Sequence, residues 1–142
     1  MDVRILQEAI HHLDPHLADH VNIELPLAEA VAQMQEVTSE HQRGMGALLV
    51  TQEDKLIGII TERDLVRRVI SQKRDIKRLT AGQVMTAQPE TLTAEDPIVF
   101  ALNLMHFGHY RHIPLVDEEN KPVGIITSKD IIKYISQFIK SI

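Results

Sequence analysis

The sequence predicts a mixed α/β (α+β) chain in which one β-α-β-β-α unit is used twice. Three observations lead there. Residues 46–69, GALLVTQEDKLIGIITERDLVRRV, align without a gap on residues 112–135, HIPLVDEENKPVGIITSKDIIKYI, at an offset of 66, and nine of the 24 pairs are identical. Upstream, LPLAEAVAQM (25–34) aligns on DPIVFALNLM (96–105) at an offset of 71. Within both copies, apolar residues recur at helical spacing, then in two short apolar runs split by a polar turn, then at helical spacing again.

The elements follow in order. The first 13 residues carry Val3, Leu6, Ala9, Ile10 and Leu13 at a spacing that predicts an amphipathic helix, which Asp14-Pro15 ends. An extended segment is expected at 20–24. A helix opened by Pro26 follows, with Leu27, Ala30, Val31 and Met34 on one face. The change of offset places five extra residues of the first copy in QEVTSEHQRGM (35–45), read as a longer helix end and loop. Strands are expected at 47–51 and 56–60 around the turn Gln52-Glu53-Asp54-Lys55, then a helix over 62–72. The second copy repeats this order. An extended segment covers 90–93, and a helix opened by Pro97 carries Ile98, Ala101, Leu102 and Met105. Strands cover 112–116 and 122–126 around Glu118-Glu119-Asn120-Lys121, and a helix covers 128–140. The chain thus divides into a helical extension (1–17), a first repeat (18–72), a linker (73–83) and a second repeat (84–142).

Composition narrows the function. With 142 residues and 44% hydrophobic content the chain can bury a real core, and with 4% aromatics and no Trp that core must be aliphatic. The absence of Cys removes disulfides, thiolate metal sites and a cysteine nucleophile, and fits a reducing cytoplasm. A formal net charge of −5 argues against a general nucleic-acid binder. No apolar run reaches membrane-spanning length, and the acidic start does not read as a signal peptide. A cytoplasmic location is expected.

The residues that carry chemistry are Gly-Ile-Ile-Thr-x-x-Asp, at Gly58–Asp64 and again at Gly124–Asp130. Each tract falls where a strand turns into a helix, whose free N–H groups and dipole favour an anion. Thr61 or Thr127 can cap the helix or meet a phosphate. Asp64 or Asp130 can accept two hydroxyl hydrogen bonds, the geometry of a ribose diol. Arg63 or Lys129 can reach phosphate oxygens. Thr-x-x-Asp is also the ordinary signature of a helix start. Two copies inside a longer repeat weigh toward a site.

With these tracts, VMTAQPETLTAEDPI (84–98) and YRHIPLVDEENKPVG (110–124), the chain resembles a tandem pair of cystathionine-β-synthase (CBS) domains, a Bateman module. The resemblance covers about residues 18 to 140. It implies two repeats packed with pseudo-twofold symmetry around two clefts, in which members of the family commonly hold AMP, ADP, ATP or S-adenosylmethionine and some hold no nucleotide. By resemblance, the first cleft uses Thr61, Arg63 and Asp64 with Thr91, Leu92, Tyr110, Arg111, His112, Ile113 and Pro114. There Asp64 would hold the ribose, Arg63, Arg111 and His112 would face phosphates, and Leu92, Ile113 and Pro114 would line the base. The second cleft uses Thr127, Lys129 and Asp130 with Ile23, Met45, Gly46 and Ala47. It carries fewer cations, because the gapless alignment sets Met45 against Arg111 and Gly46 against His112. A homodimer is implied, presenting its surface to an effector protein.

Other features point nowhere as strongly. His106, His109 and His112 recur every third residue and His11, His12, His16 and His20 cluster near the start, but no carboxylate stands at metal-motif spacing, so no metal is expected. Met34, Met45, Met85 and Met105 read as core and cleft filling. No nucleophile elbow or phosphate-binding loop occurs, and no residue can be given a catalytic role. The expected function is a non-catalytic sensor of adenine nucleotides that needs no cofactor. A ligand-free structural or dimerisation module, or a regulatory piece of an enzyme or transporter, remains the alternative.

Overall fold

In the computed structural model, residues 3–17, 19–35 and 46–139 are described. Two antiparallel hairpins form the frame. In the first copy β2 (Ala47–Gln52) pairs with β3 (Lys55–Thr61), and in the second β5 (His112–Val116) pairs with β6 (Pro122–Thr127). A short parallel strand flanks each hairpin. In the first copy it is β1 (His20–Asn22), beside β2; in the second, Leu92 bridges to Leu115.

The fourth position of each sheet is filled from the other copy. β4 (Thr86–Ala87), at the entry to the second repeat, pairs with β3 of the first, setting Ala87 across from Gly58 and Thr86 across from Ile59. Conversely His16, ahead of β1, pairs with Ile125 of β6; the His16 N–H reaches the Ile125 carbonyl at 3.2 Å and the Ile125 N–H the His16 carbonyl at 3.1 Å. The same exchange runs through the cores. Leu79, Ala81 and Val84 pack with Val21, Leu27, Ala30, Leu48, Val50 and Ile60 of the first copy. Ile10 and Leu13 pack with Ile98, Ala101, Ile113, Leu115, Ile126 and Ile131 of the second. A third apolar layer, Leu49, Leu56, Ile59, Val116 and Ile125, joins the two sheets across their remaining faces. Successive strand residues point to opposite faces, so β2 feeds both layers: Leu48 and Val50 face the helices while Leu49 faces the other sheet. The chain is the mixed α/β fold that the repeat implied.

The helices differ from expectation in four places. Residues 3–13 are not one amphipathic helix but two 3-10 stretches, Val3–Gln7 and Ile10–Leu13. The Ile10 and His11 N–H groups bond the Asp96 and Ala94 carbonyls instead of the preceding turn, and the Ile98 N–H bonds the Glu8 carbonyl, so tertiary contacts win over the helix ladder. The helix expected over 62–72 is α-helical only in α2 (Glu62–Leu65); Val66–Ile70 is a π turn, with the Ser71 N–H on the Val66 carbonyl at 2.8 Å. Pro97 stands at the cap of α4 (Ile98–Gly108), with extended ψ 146, rather than in its first turn. Pro26 likewise precedes α1 (Leu27–Gln35). α4 runs to Gly108 and stops at His109, in the left-handed region with φ 59. α3 (Ala81–Val84) opens with a Thr80–Gln83 capping box, and α5 (Ser128–Ile139) closes the described chain. The stretch 35–45, expected to hold the five extra residues of the first copy, lies outside the described residues from 36 on.

Candidate functional site

Each Thr-x-x-Asp tract builds the same cap. Thr61 ends β3 in extended conformation, and its N–H and hydroxyl donate to Asp64 Oδ2 at 2.8 and 3.1 Å, while the Asp64 N–H returns to Thr61 Oγ1 at 3.4 Å. Thr127 and Asp130 repeat the set at 2.7, 3.1 and 3.4 Å. The cap reading of the motif is therefore correct as far as it goes. It leaves Oδ1 of each carboxylate over, and Oδ1 is where the two copies part.

Asp64 Oδ1 accepts from the Thr86 hydroxyl at 2.8 Å, and the Arg68 guanidinium lies 3.9 Å away on the next turn. Asp64 is only 6% exposed. Arg68 also donates to the carbonyls of Met85 and Val84, the chain that carries Thr86, so helix and crossing strand are tied together through the aspartate. In the second copy Asp130 Oδ1 meets His16 Nε2 at 2.8 Å, with side chains 11% and 14% exposed. A carboxylate only accepts, so the Nε2–H is the donor. Because Ile59 and Ile125 are repeat equivalents, Thr86 and His16 occupy matching positions. Tyr134 stands where the first copy has Arg68. It packs edge-on against Phe138, and burial raises its hydroxyl above the ordinary 10.0, with the Glu8 charge adding to the effect.

The motif glycines admit the crossing strands. A Cβ on Gly58 would overlap the Met85 sulfur and stand 2.9 Å from Met85 Cγ and 3.1 Å from the Thr86 carbonyl oxygen; on Gly124 it would meet the His16 carbonyl oxygen at 3.2 Å. Thr86 and His16 were missed by sequence reasoning. Neither stands in a motif of its own: His16 lies just ahead of β1, and Thr86 lies in the two-residue β4.

The register also corrects the alignment of the copies. In β3 and β6 the offset is 66, as expected, since Thr61 and Thr127 match. In β2 and β5 it is 65: Ala47 pairs with Thr61 as His112 pairs with Thr127, and Leu48 with Ile60 as Ile113 with Ile126. The caps agree, since the Glu62 N–H bonds the Gly46 carbonyl and the Ser128 N–H bonds the Arg111 carbonyl. Gly46 therefore replaces Arg111, and Ala47 replaces His112. The extra residue of the second copy falls in the hairpin turn, where alignment by identity cannot see it. Gly46 has φ +65, a backbone state that favours glycine, and Glu62 packs against its α-carbon. Met45 lies outside the described residues.

The remaining expected residues fall at varied depths. Arg63, Lys129, Tyr110 and Arg111 are exposed, Thr91, Leu92, Ile23 and Ala47 partly buried, and His112 lies at the start of β5. Pro114 is buried and Ile113 lies wholly within the second core, so the Ile113 side chain is committed to packing rather than to lining a cleft. Among the described residues no three His, Asp or Glu gather where they could hold a metal ion, and no helix is long and apolar enough to cross a membrane.

Comparison with known proteins yields one family. The sequence model of the CBS domain matches residues 6–71 and 81–137. The chain is 41% identical over 80 residues to CBS domain-containing protein CBSCBSPB5 of Arabidopsis thaliana, covering 56% of this chain and 15% of that protein. The chain thus spans a small part of the first curated relatives it matches. Among solved structures, the CBS domain NE2398 superposes with a TM-score of 0.77 at 25% identity, over 90% of this chain and 97% of that one. CBSX2 in complex with AMP superposes with a TM-score of 0.74 at 18% identity, over 92% and 98%.

Proposed function

Because the chain belongs to the CBS domain family, with two tandem copies, we propose that it is a non-catalytic regulatory module that binds an adenine nucleotide (AMP, ADP or ATP) at the first cleft. The observation that carries this is the Asp64 carboxylate: buried at the start of α2, it receives hydroxyl donors from two elements, Thr61 and Thr86. Hydroxyl partners are what a ribose diol would replace in kind. Asp64 would hold the ribose, exposed Arg63 with Arg111 and His112 would meet the phosphates, and Leu92 would support the base. A protein of the same fold holds AMP, as in CBSX2.

A ligand touching both copies would shift the module toward one arrangement by its difference in affinity between arrangements. Arg68 gives a route for this, since one guanidinium contacts Asp64 and the Met85 carbonyl of the crossing segment. The module would act as a homodimer, displaying the change to an effector protein. Its dimer surface would include the exposed apolar pairs Phe100 and Phe107 on α4 and Ile132 and Ile139 on α5, each spaced seven residues apart on one stripe.

Thermal-shift titration with AMP, ADP, ATP and S-adenosylmethionine tests the reading. A nucleotide at a hundred times its Kd stabilises by about 2.7 kcal/mol, a rise of several degrees. The rise should vanish in Asp64→Ala. No stabilisation by any nucleotide, or an equal rise in Asp64→Ala, would overturn it.

A further inference from the structure

The two motif aspartates are not equally able to receive a diol. A carboxylate offers about four lone-pair positions. In both copies Oδ2 takes two donors, the N–H and hydroxyl of the capping threonine, and Oδ1 takes one more, from the chain that crosses the motif. A vicinal diol needs two acceptor positions, so at either aspartate an existing donor must give way.

In the first copy that donor is the Thr86 hydroxyl. It leaves by rotation about one side-chain bond, among staggered positions, while Thr86 stays paired to Ile59. In the second copy the donor is an imidazole. Its backbone is fixed on both sides by the Ile125 N–H and carbonyl and lies against Gly124, and its side chain is 14% exposed beside Asp130. To free Oδ1 the whole ring must swing out, leaving a carboxylate whose side chain is only 11% exposed short of a charge-assisted hydrogen bond. The place of Arg68 is taken by Tyr134, whose neutral ring carries no charge toward Asp130.

Building on the nucleotide reading above, we propose that His16 closes the second cleft to ribose diols. Its imidazole occupies the Asp130 oxygen that a nucleoside would need, and the module takes a nucleoside ligand at Asp64 alone. His16 is thus a specificity-determining residue. It makes two nearly identical motifs unequal, and it places the control in the segment ahead of β1.

Isothermal titration of AMP into the full chain tests this. The wild type should bind one AMP per chain and Asp64→Ala none. His16→Thr, which reproduces the donor of the first copy, should bind two, with the added site at least about tenfold tighter than any residual binding there in the wild type. Asp130→Ala in the His16→Thr background should remove the added site. The proposal is overturned if Asp64→Ala still binds one AMP that Asp130→Ala abolishes, a result that needs no His16 variant and stands even if His16→Thr does not fold. It is also overturned if folded His16→Thr gains no site. If the wild type binds no AMP, the first-cleft reading falls by itself; a site created by His16→Thr and removed by Asp130→Ala would still uphold the role of His16, and its failure to appear would end that role too.

Discussion

Placing an alanine at Gly58 and, separately, at Gly124 measures how closely a borrowed strand lies over each motif. Neither glycine has a positive φ, so alanine brings no backbone strain at either position and gains about 0.4–1 kcal/mol by restricting the unfolded chain. The steric terms differ. At Gly58 the new methyl overlaps the Met85 side chain, which is packed against the first core, and sits 3.1 Å from the Thr86 carbonyl oxygen. Relief requires the segment to back away, and that stretches the Thr86–Asp64 bond of 2.8 Å. Overpacking of this kind costs about 1–3 kcal/mol. The net expectation for Gly58→Ala is a loss of about 1–2 kcal/mol, or roughly 3–7 °C in Tm for a chain of this size. At Gly124 the nearest atom is the His16 carbonyl oxygen at 3.2 Å and the next is Pro15 Cβ at 3.4 Å. A shift of a few tenths of an ångström suffices, so Gly124→Ala should stay within about 0.5 kcal/mol of wild type. Urea unfolding followed by circular dichroism, at one fixed protein concentration, reads both. Equal losses, or a larger loss at Gly124, would refute the claim that Met85 and Thr86 press on their glycine harder than Pro15 and His16 press on theirs.

Thr86→Val removes the donor to Asp64 Oδ1 while keeping the side-chain shape. It should cost about 1.5–3 kcal/mol, as for a hydrogen bond to a charged group, seen as a lower urea midpoint at unchanged slope; an unchanged midpoint would show that the contact contributes nothing. Tyr134 has its hydroxyl held above the ordinary 10.0 by burial and by Glu8, so its neutral form is favoured in the folded chain. The resulting stability is present below pH 10.0 and is lost as pH rises through the folded value. Tyr134→Phe should therefore flatten the alkaline limb of the stability curve relative to wild type, and identical limbs would contradict the assignment. Phe107, 77% exposed on α4, should be a contact between copies of the chain. Phe107→Glu should move the sedimentation coefficient toward the monomer without changing the circular dichroism spectrum, and an unmoved coefficient would take α4 out of the dimer surface.

Much of the framework was legible because it is local. The paired apolar runs, the polar turns and the Thr-x-x-Asp caps are all written within a few residues of where they act, so β2, β3, β5, β6 and the starts of α2 and α5 lie close to their expected places. What escaped depends on distant partners. Residues 3–13 carry helical spacing, yet the N–H groups of Ile10 and His11 are claimed by the carbonyls of Asp96 and Ala94. β4 is two residues long, too short to show any period, and His16 makes only an isolated bridge. The one-residue offset between β2 and β5 was hidden because Leu49 and Val50 are matched by Leu115 and Val116 in type. Pairing across each hairpin instead sets Leu49 equivalent to Pro114 and Val50 to Leu115. Identity of residues and identity of position are separate properties in strands, where one step reverses the face.

The borrowed fourth strand has a consequence for the origin of such a chain. A shorter polypeptide carrying one copy would leave the outer edge of its second hairpin strand open and part of its core uncovered. Two such polypeptides could each supply what the other lacks, in a dimer that forms only above some concentration and is related by a true twofold axis. Joining them end to end replaces that bimolecular step with an intramolecular one at an effective concentration of roughly millimolar, and so removes the dilution limit. It also frees the halves to diverge, because a substitution no longer appears twice. In a twofold dimer of identical one-copy chains both crossing segments would carry the same residue, so threonine in one and histidine in the other requires the two copies to share a chain.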